Sequence, residues 1–290
     1  MESAWAVLLF ALTLVTFSVP LWPSFVELWY KQIQVLQIDR QDDRSSGFAA
    51  LTALRNHSGG TVFGDFRVTR DTPAKAVKCT RDLHVCTGSS IEAASARHIF
   101  LESEATVFGV ASATQSLCVQ PGCQFRWLDA PIVMFTDHNA RLSLPPLPFK
   151  AGPLRTGAGS AAKPAKFTRI EGRWQPESTA AIIGNYVVTG DVELFPGCKV
   201  MGSIKAYGSV TLGSASVVQG SLFSQGNIEL APTARVEGVV SAARTVTLHR
   251  GSVIGREDQL GSLSARHVKA YAGACVFGSV YAREHGVSLT

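Results

Sequence analysis

"GDVELFPGCKVMGSIKAYGSVTLGSASVVQGS", residues 190–221, decides the fold although it offers almost nothing to chemistry: one Cys, two Lys, two carboxylates and small or aliphatic residues. Its information lies in spacing. Residues two apart form inward pairs at Val192/Leu194, Cys198/Val200, Ile204/Ala206, Val210/Leu212, Ser216/Val218 and Leu222/Ser224. The series continues with Ile228/Leu230, Ala234/Val236, Val240/Ala242 and Val246/Leu248. Each pair follows the last by six residues, and those between its members (Glu193, Lys199, Lys205, Thr211, Glu229, Arg235, Thr247) are mostly polar. Alternation of this kind belongs to strands, because side chains of a strand point to opposite faces in turn. Glycines at 184, 202, 220 and 238, and then at 255, mark every third side of about six residues, so the repeat is 18 residues long with a corner glycine. Self-similarity at this period predicts a three-sided parallel β-helix, a solenoid whose coils stack edge to edge.

The pattern reaches beyond the C-terminal third. "RHVKAYAGACVFGSVYA" (266–282) reads in register with "RHIFLESEATVFGVASA" (97–113), "LFPGCKVMG" (194–202) with "VQPGCQFRW" (119–127), and "TVFGDFRV" (61–68) supplies another Val-Phe-Gly corner. The expected organisation is therefore N-terminal coils over 60–128, an insertion over 129–178, and a C-terminal β-helix over 179–290. The insertion contains "SLPPLPFKAGPLRTGAGSAAKPAKFTR", whose Pro, Gly and Ala fit neither strand nor helix period. Between Arg141 and Arg173 it carries seven basic residues against one acid, Glu171, a charge that either solvates the loop or presses it onto an anionic membrane. A smaller insertion, "REDQLG" (256–261), falls at a corner.

At the other end, "AWAVLLFALTLVTFSVPLW" (4–22) has no charged residue and is long enough to cross the ~30 Å apolar layer of a bilayer. The sequence thus predicts an N-terminal transmembrane anchor over 1–24, with Trp5, Leu8, Leu9, Phe10, Leu12, Leu14, Val15, Phe17, Leu21 and Trp22 facing lipid or its interface, and a stalk over 25–59. No Lys or Arg precedes the apolar run and no small-x-small site follows it, which speaks against a cleaved signal. Lys31 and Arg40 follow the span closely, which favours a cytoplasmic body.

Catalytic, cofactor and metal sites are expected to be none. His267 and His285 stand 18 apart and His98 occupies the matching place in its own repeat, but no carboxylate recurs beside them. Six cysteines (79, 86, 118, 123, 198, 275) leave two readings open: nearby pairs such as Cys79/Cys86 or Cys118/Cys123 could close disulfides, whereas Cys123 and Cys198 fall in one inward slot where Cys serves as a small apolar filler. No CxxC occurs, which disfavours zinc. The net charge of +5 lacks the aromatic-and-basic patterning of a nucleic-acid module.

With a membrane segment, a stalk, and 18-residue coils of Val/Ile-x-Leu/Val with corner Gly, the chain resembles the bactofilins, bacterial polymer-forming cytoskeletal proteins, most strongly over 182–290. The resemblance implies an all-β, right-handed, three-sided β-helix that polymerises end to end without nucleotide. It implies a scaffold at the bacterial inner membrane whose partners are itself, the membrane and envelope or cell-wall enzymes. A split solenoid departs from the family's compact pattern. The rival is a left-handed hexapeptide-repeat acyltransferase, but the later slot in each side holds Ile204, Val210, Leu222 and Ile228 as often as a small residue, which favours the wider coil.

Solenoids normally cover the raw edge of a terminal coil, because unpaired N–H and C=O groups template further strands. "GACVFGSVYAREHGVSLT" (273–290) supplies no such cover, so Val276, Phe277, Val280, Val287 and Leu289 are the expected polymerisation interface.

Overall fold

The computed structural model describes residues 61–70, 74–137, 167–176 and 181–290. The expected anchor (Trp5 to Trp22), the stalk and the middle of the insertion lie outside them. All of the described residues belong to one compact unit, 50–290. Among those residues every regular element is a strand, and no helix is long and apolar enough to cross a membrane. The architecture is a β-solenoid of about ten turns.

Two stacks of coils make it up. The N-terminal stack contains β1 (Phe66–Val68), β2 (Ala74–Lys78), β3 (Asp82–Val85), β4 (Ser90–Leu101), β5 (Thr106–Val119), β6 (Gln124–Asp129) and β7 (Val133–Phe135). Its coils are parallel, with Phe66 beside Leu83, Leu83 beside Ile99, Ile99 beside Leu117, and Leu117 beside Val133. The C-terminal stack begins at β8 (Phe167–Ile170). It has three sides. One carries β10 (Asn185–Val188), β13 (Ile204–Ala206), β16 (Leu222–Ser224) and β19 (Val240–Ala242). The next carries β11 (Val192–Leu194), β14 (Val210–Leu212), β17 (Ile228–Leu230) and β20 (Thr245–Leu248). The third carries β9 (Ala181–Ile183), β12 (Lys199–Met201), β15 (Val217–Val218), β18 (Arg235–Val236), β21 (Val253–Ile254) and β23 (Cys275–Val276). Two long strands, β22 (Gly261–Tyr271) and β24 (Gly278–Leu289), turn a corner without interruption and serve two sides each.

The inward register agrees with the sequence residue by residue. From Val192 to Leu248 each member of the inward pairs is buried, while Lys199, Lys205, Thr211, Glu229 and Arg235 are exposed. Burying an aliphatic side chain of this size is worth about 1.5–3 kcal/mol, so the column supplies the main favourable term. The exact 18-residue step is visible in the pairs Val192 with Val210, Val210 with Ile228 and Ile228 with Val246. The corner glycines answer to stacking as much as to backbone angle. A Cβ on Gly202 would lie 2.0 Å from the carbonyl oxygen of Gly184 in the coil beneath.

The structure corrects the expected boundaries of the insertion. β7 and β8 both lie inside 129–178, and Trp174 bridges to Val192, so the stacks extend into it from both sides. The corner loop at 256–261 is as expected: Arg256 and Gln259 close it with mutual backbone bonds of 2.9 and 3.2 Å, and the coil it lengthens resumes its register at Leu263 beside Val240.

Candidate assembly interface

The last coils of the two stacks meet each other, tail to tail. β24 runs antiparallel to β6, with Val280 beside Leu128, Tyr281 beside Trp127, Gly286 beside Phe125 and Val287 beside Gln124. β23 runs antiparallel to β7, with Cys275 beside Met134 and Val276 beside Val133. All three sides of the C-terminal stack thus find a partner strand. The edge expected to be open is covered from within the same chain.

That geometry reassigns the expected interface residues. Val276 and Val280 point into the common core and are fully buried, over Val133 and Leu128 of the other stack. Val287 pairs with Gln124, Leu289 pairs with Tyr271 of the preceding coil, and Phe277 flanks a small cleft of about 240 Å³ with Arg235, Val253 and Arg256. The physical reason is the one that motivated the expectation. A raw coil edge recruits a strand, and a strand of equal width is available in residues 124–135.

Side chains lock the joint. Ser288, buried, donates its hydroxyl to the Gln120 carbonyl at 2.6 Å and accepts the Cys123 N–H at 3.0 Å, while its own carbonyl accepts the Gly122 N–H at 2.9 Å. Asp129 accepts from the Ser279 hydroxyl at 2.6 Å. Arg126 donates to the Arg283 carbonyl at 2.6 Å, and Trp127 meets Tyr281 edge-on at 5.8 Å. Gly286 leaves room for the Phe125 ring, which an added Cβ would meet at 2.3 Å.

The remaining candidate residues are scattered. His267 and His285 stand side by side, as their 18-residue spacing predicts, and Glu284 reaches His267 at 3.3 Å. His98 bonds to Ser116 at 2.6 Å on the other stack, and His249 stacks on Tyr271. No group of three or more His, Cys, Asp or Glu among the described residues could hold a metal ion. All six cysteines are free thiols. Cys123 and Cys198 fill inward slots, as their aligned repeats imply, whereas Cys118 and Cys275 flank Met134 on adjacent strands. Burial pushes the Cys118 and Cys275 thiols up to about 12 and that of Cys123 to about 11.

The two outer ends of the described strands are both first coils. Among the described residues, β1 and β2 pair only with β3 and β4, and β8 and β9 only with β10 and β12. Large apolar side chains stand exposed there: Phe63 at one end, Phe167 and Ile183 at the other. Behind the second end, Arg173 and Gln175 both hydrogen-bond the Glu193 carboxylate, and these bonds hold it below the usual carboxylate range. Comparison of the chain with protein-family models, curated proteins and solved structures finds no match to any of them.

Proposed function

We propose that this chain is a membrane-anchored, nucleotide-independent, polymer-forming scaffold of the bactofilin kind, joined end to end through its first coils. The observation that carries the reading is the pair of outer edges at β1/β2 and β8/β9 that have no partner strand among the described residues, each beside exposed apolar side chains. Backbone groups at such an edge gain hydrogen bonds from any strand that adds to them, with no need for hydrolysis to expose the surface. The tail-to-tail joint supports the mode, since it is a contact of this type already made within one molecule. Residues 4–22 would hold the polymer at the bilayer. Free thiols at all six cysteines suit a body on the cytoplasmic side.

Electron microscopy of residues 50–290, purified without nucleotide, tests the proposal. Filaments are expected, and the double variant Phe63→Arg/Ile183→Arg should leave folded, short or single particles. A wild-type preparation that stays monomeric at high concentration would sink the scaffold reading. A discrete trimer that binds acyl-CoA would replace it with the acyltransferase.

A further inference from the structure

One corner of the solenoid concentrates positive charge where the two stacks join. Arg244 occupies this corner in one coil, and its carbonyl accepts the N–H of His267 in the next at 3.0 Å. Arg266 precedes His267 there. In the following coil Arg283 lies opposite, because Ala265 pairs with Ala282 and His267 with His285. Across the joint Arg126 continues the line, within hydrogen-bond reach of Arg283. Neighbouring strands lie ~4.8 Å apart, so these four guanidinium groups span only ~14 Å along the axis. Arg244, Arg266 and Arg283 are exposed, and among the described residues Glu284 is the carboxylate that stands with them, shared between Arg266 and His267 at 3.4 and 3.3 Å. The patch has limits. The coil before Arg244 presents Gly226, and the coil beyond Arg126 presents Phe108 and then Glu92.

Aromatic side chains flank the charge. Phe108 is 57 % exposed beside Arg126, and the Trp127–Tyr281 pair lies on the adjoining side of the same two strands. Arginine interleaved with Phe, Trp and Tyr is the composition of surfaces that rest in the headgroup region of a bilayer, where rings enter the acyl boundary and cations meet phosphate. A single-stranded nucleic acid uses the same residue types but lies in a groove. This corner is convex, an edge between two flat sides of a prism, and a convex edge meets a flat surface along its length.

We infer that the Arg244–Arg266–Arg283–Arg126 corner, with Phe108, is a binding surface for anionic lipid headgroups, which lays the solenoid axis along the membrane. The inference shares with the proposed function the setting at a membrane, but concerns a surface remote from both open ends. Its test uses residues 50–290, which contain the buried core of the described residues, from Val68 to Ala282. Flotation with vesicles of phosphatidylglycerol and phosphatidylcholine is compared with flotation on phosphatidylcholine alone. Binding to the anionic vesicles only is expected, and Arg244→Gln/Arg266→Gln should lower the partition coefficient about 25-fold, at about fivefold per arginine. Phe108→Ser should lower it as well, with the circular dichroism of both variants unchanged. Three results overturn the inference: wild-type protein that ignores anionic vesicles, a folded double-glutamine variant that binds as wild type, or tighter binding of soluble polyphosphate with no effect of Phe108→Ser. The last assigns the corner to a dissolved polyanion. Filament counts on the same samples report separately on end-to-end assembly.

Discussion

At the scale of single residues, the inner column contains errors as well as fits. Ser216 and Ser252 are fully buried and their hydroxyls have no hydrogen-bond partner, and both stand 18 residues from Ala234 in the same inward slot. A buried, unsatisfied hydroxyl costs about 1–3 kcal/mol. Ser216→Ala is therefore expected to stabilise residues 50–290 by about 1 kcal/mol, read as a rise in the urea midpoint at unchanged slope. The thiols set an alkaline limit. Cys118 and Cys275 titrate at about 12 in the fold against 9.0 ordinarily. A thiol whose pKa is raised by folding favours the fold below pH 9.0 and loses that contribution as pH climbs from there toward 12. Stability should accordingly be flat through pH 8 and fall above pH 9, and replacing both cysteines with Ala should soften the fall. The slot shared by Cys123 and Cys198 was legible because the two Pro-Gly-Cys turns align. Ser288 was not legible, since its partners Gln120 and Cys123 lie 168 and 165 residues away and no local pattern announces them.

At the scale of elements, legibility follows the regularity of the step. In the C-terminal stack, from β8 to β21, each side is a strand of two to four residues ended by a turn, so period two inside period six survives in the sequence. In the N-terminal stack the step between coils varies from 16 to 18 residues, and β4 and β5 carry 12 and 14 residues around a corner. Bulges at Ala96/His98 and Val107/Val110 absorb the difference, so a fixed-period reading loses phase there. The same cause hid β7, which follows β5 by a 16-residue step, whereas β8 keeps the 18-residue step to β10 but buries no inward pair that would mark it in the sequence. Gly286 offers a test at this scale, since it is held by contact with Phe125 and not by a left-handed backbone. Gly286→Leu is expected to wedge β24 from β6 while both stacks keep their strands. Far-ultraviolet circular dichroism should barely change, and limited proteolysis after residue 260 should accelerate several-fold.

At the scale of the whole molecule, the joint makes one column of two stacks and dictates that both outer ends are beginnings. A protease site introduced at residues 150–156 and cleaved after folding should leave the halves together on size exclusion, held by three-sided strand pairing and a continuous core. Their separation should need denaturant. Halves that part freely in buffer would show that the linker, and not the strand pairing, keeps them together. Order in time is a further consequence of this joint. Residues 275–289 emerge from the ribosome roughly 10–30 s after Phe135, at ordinary rates of synthesis. During that interval the N-terminal stack, already able to coil, waits with its own tail edge bare. On a crowded message the nearest complementary edge is the finished tail of an earlier chain, so exchange between siblings competes with closure within one. Slower translation of the second half should raise the share of exchanged pairs.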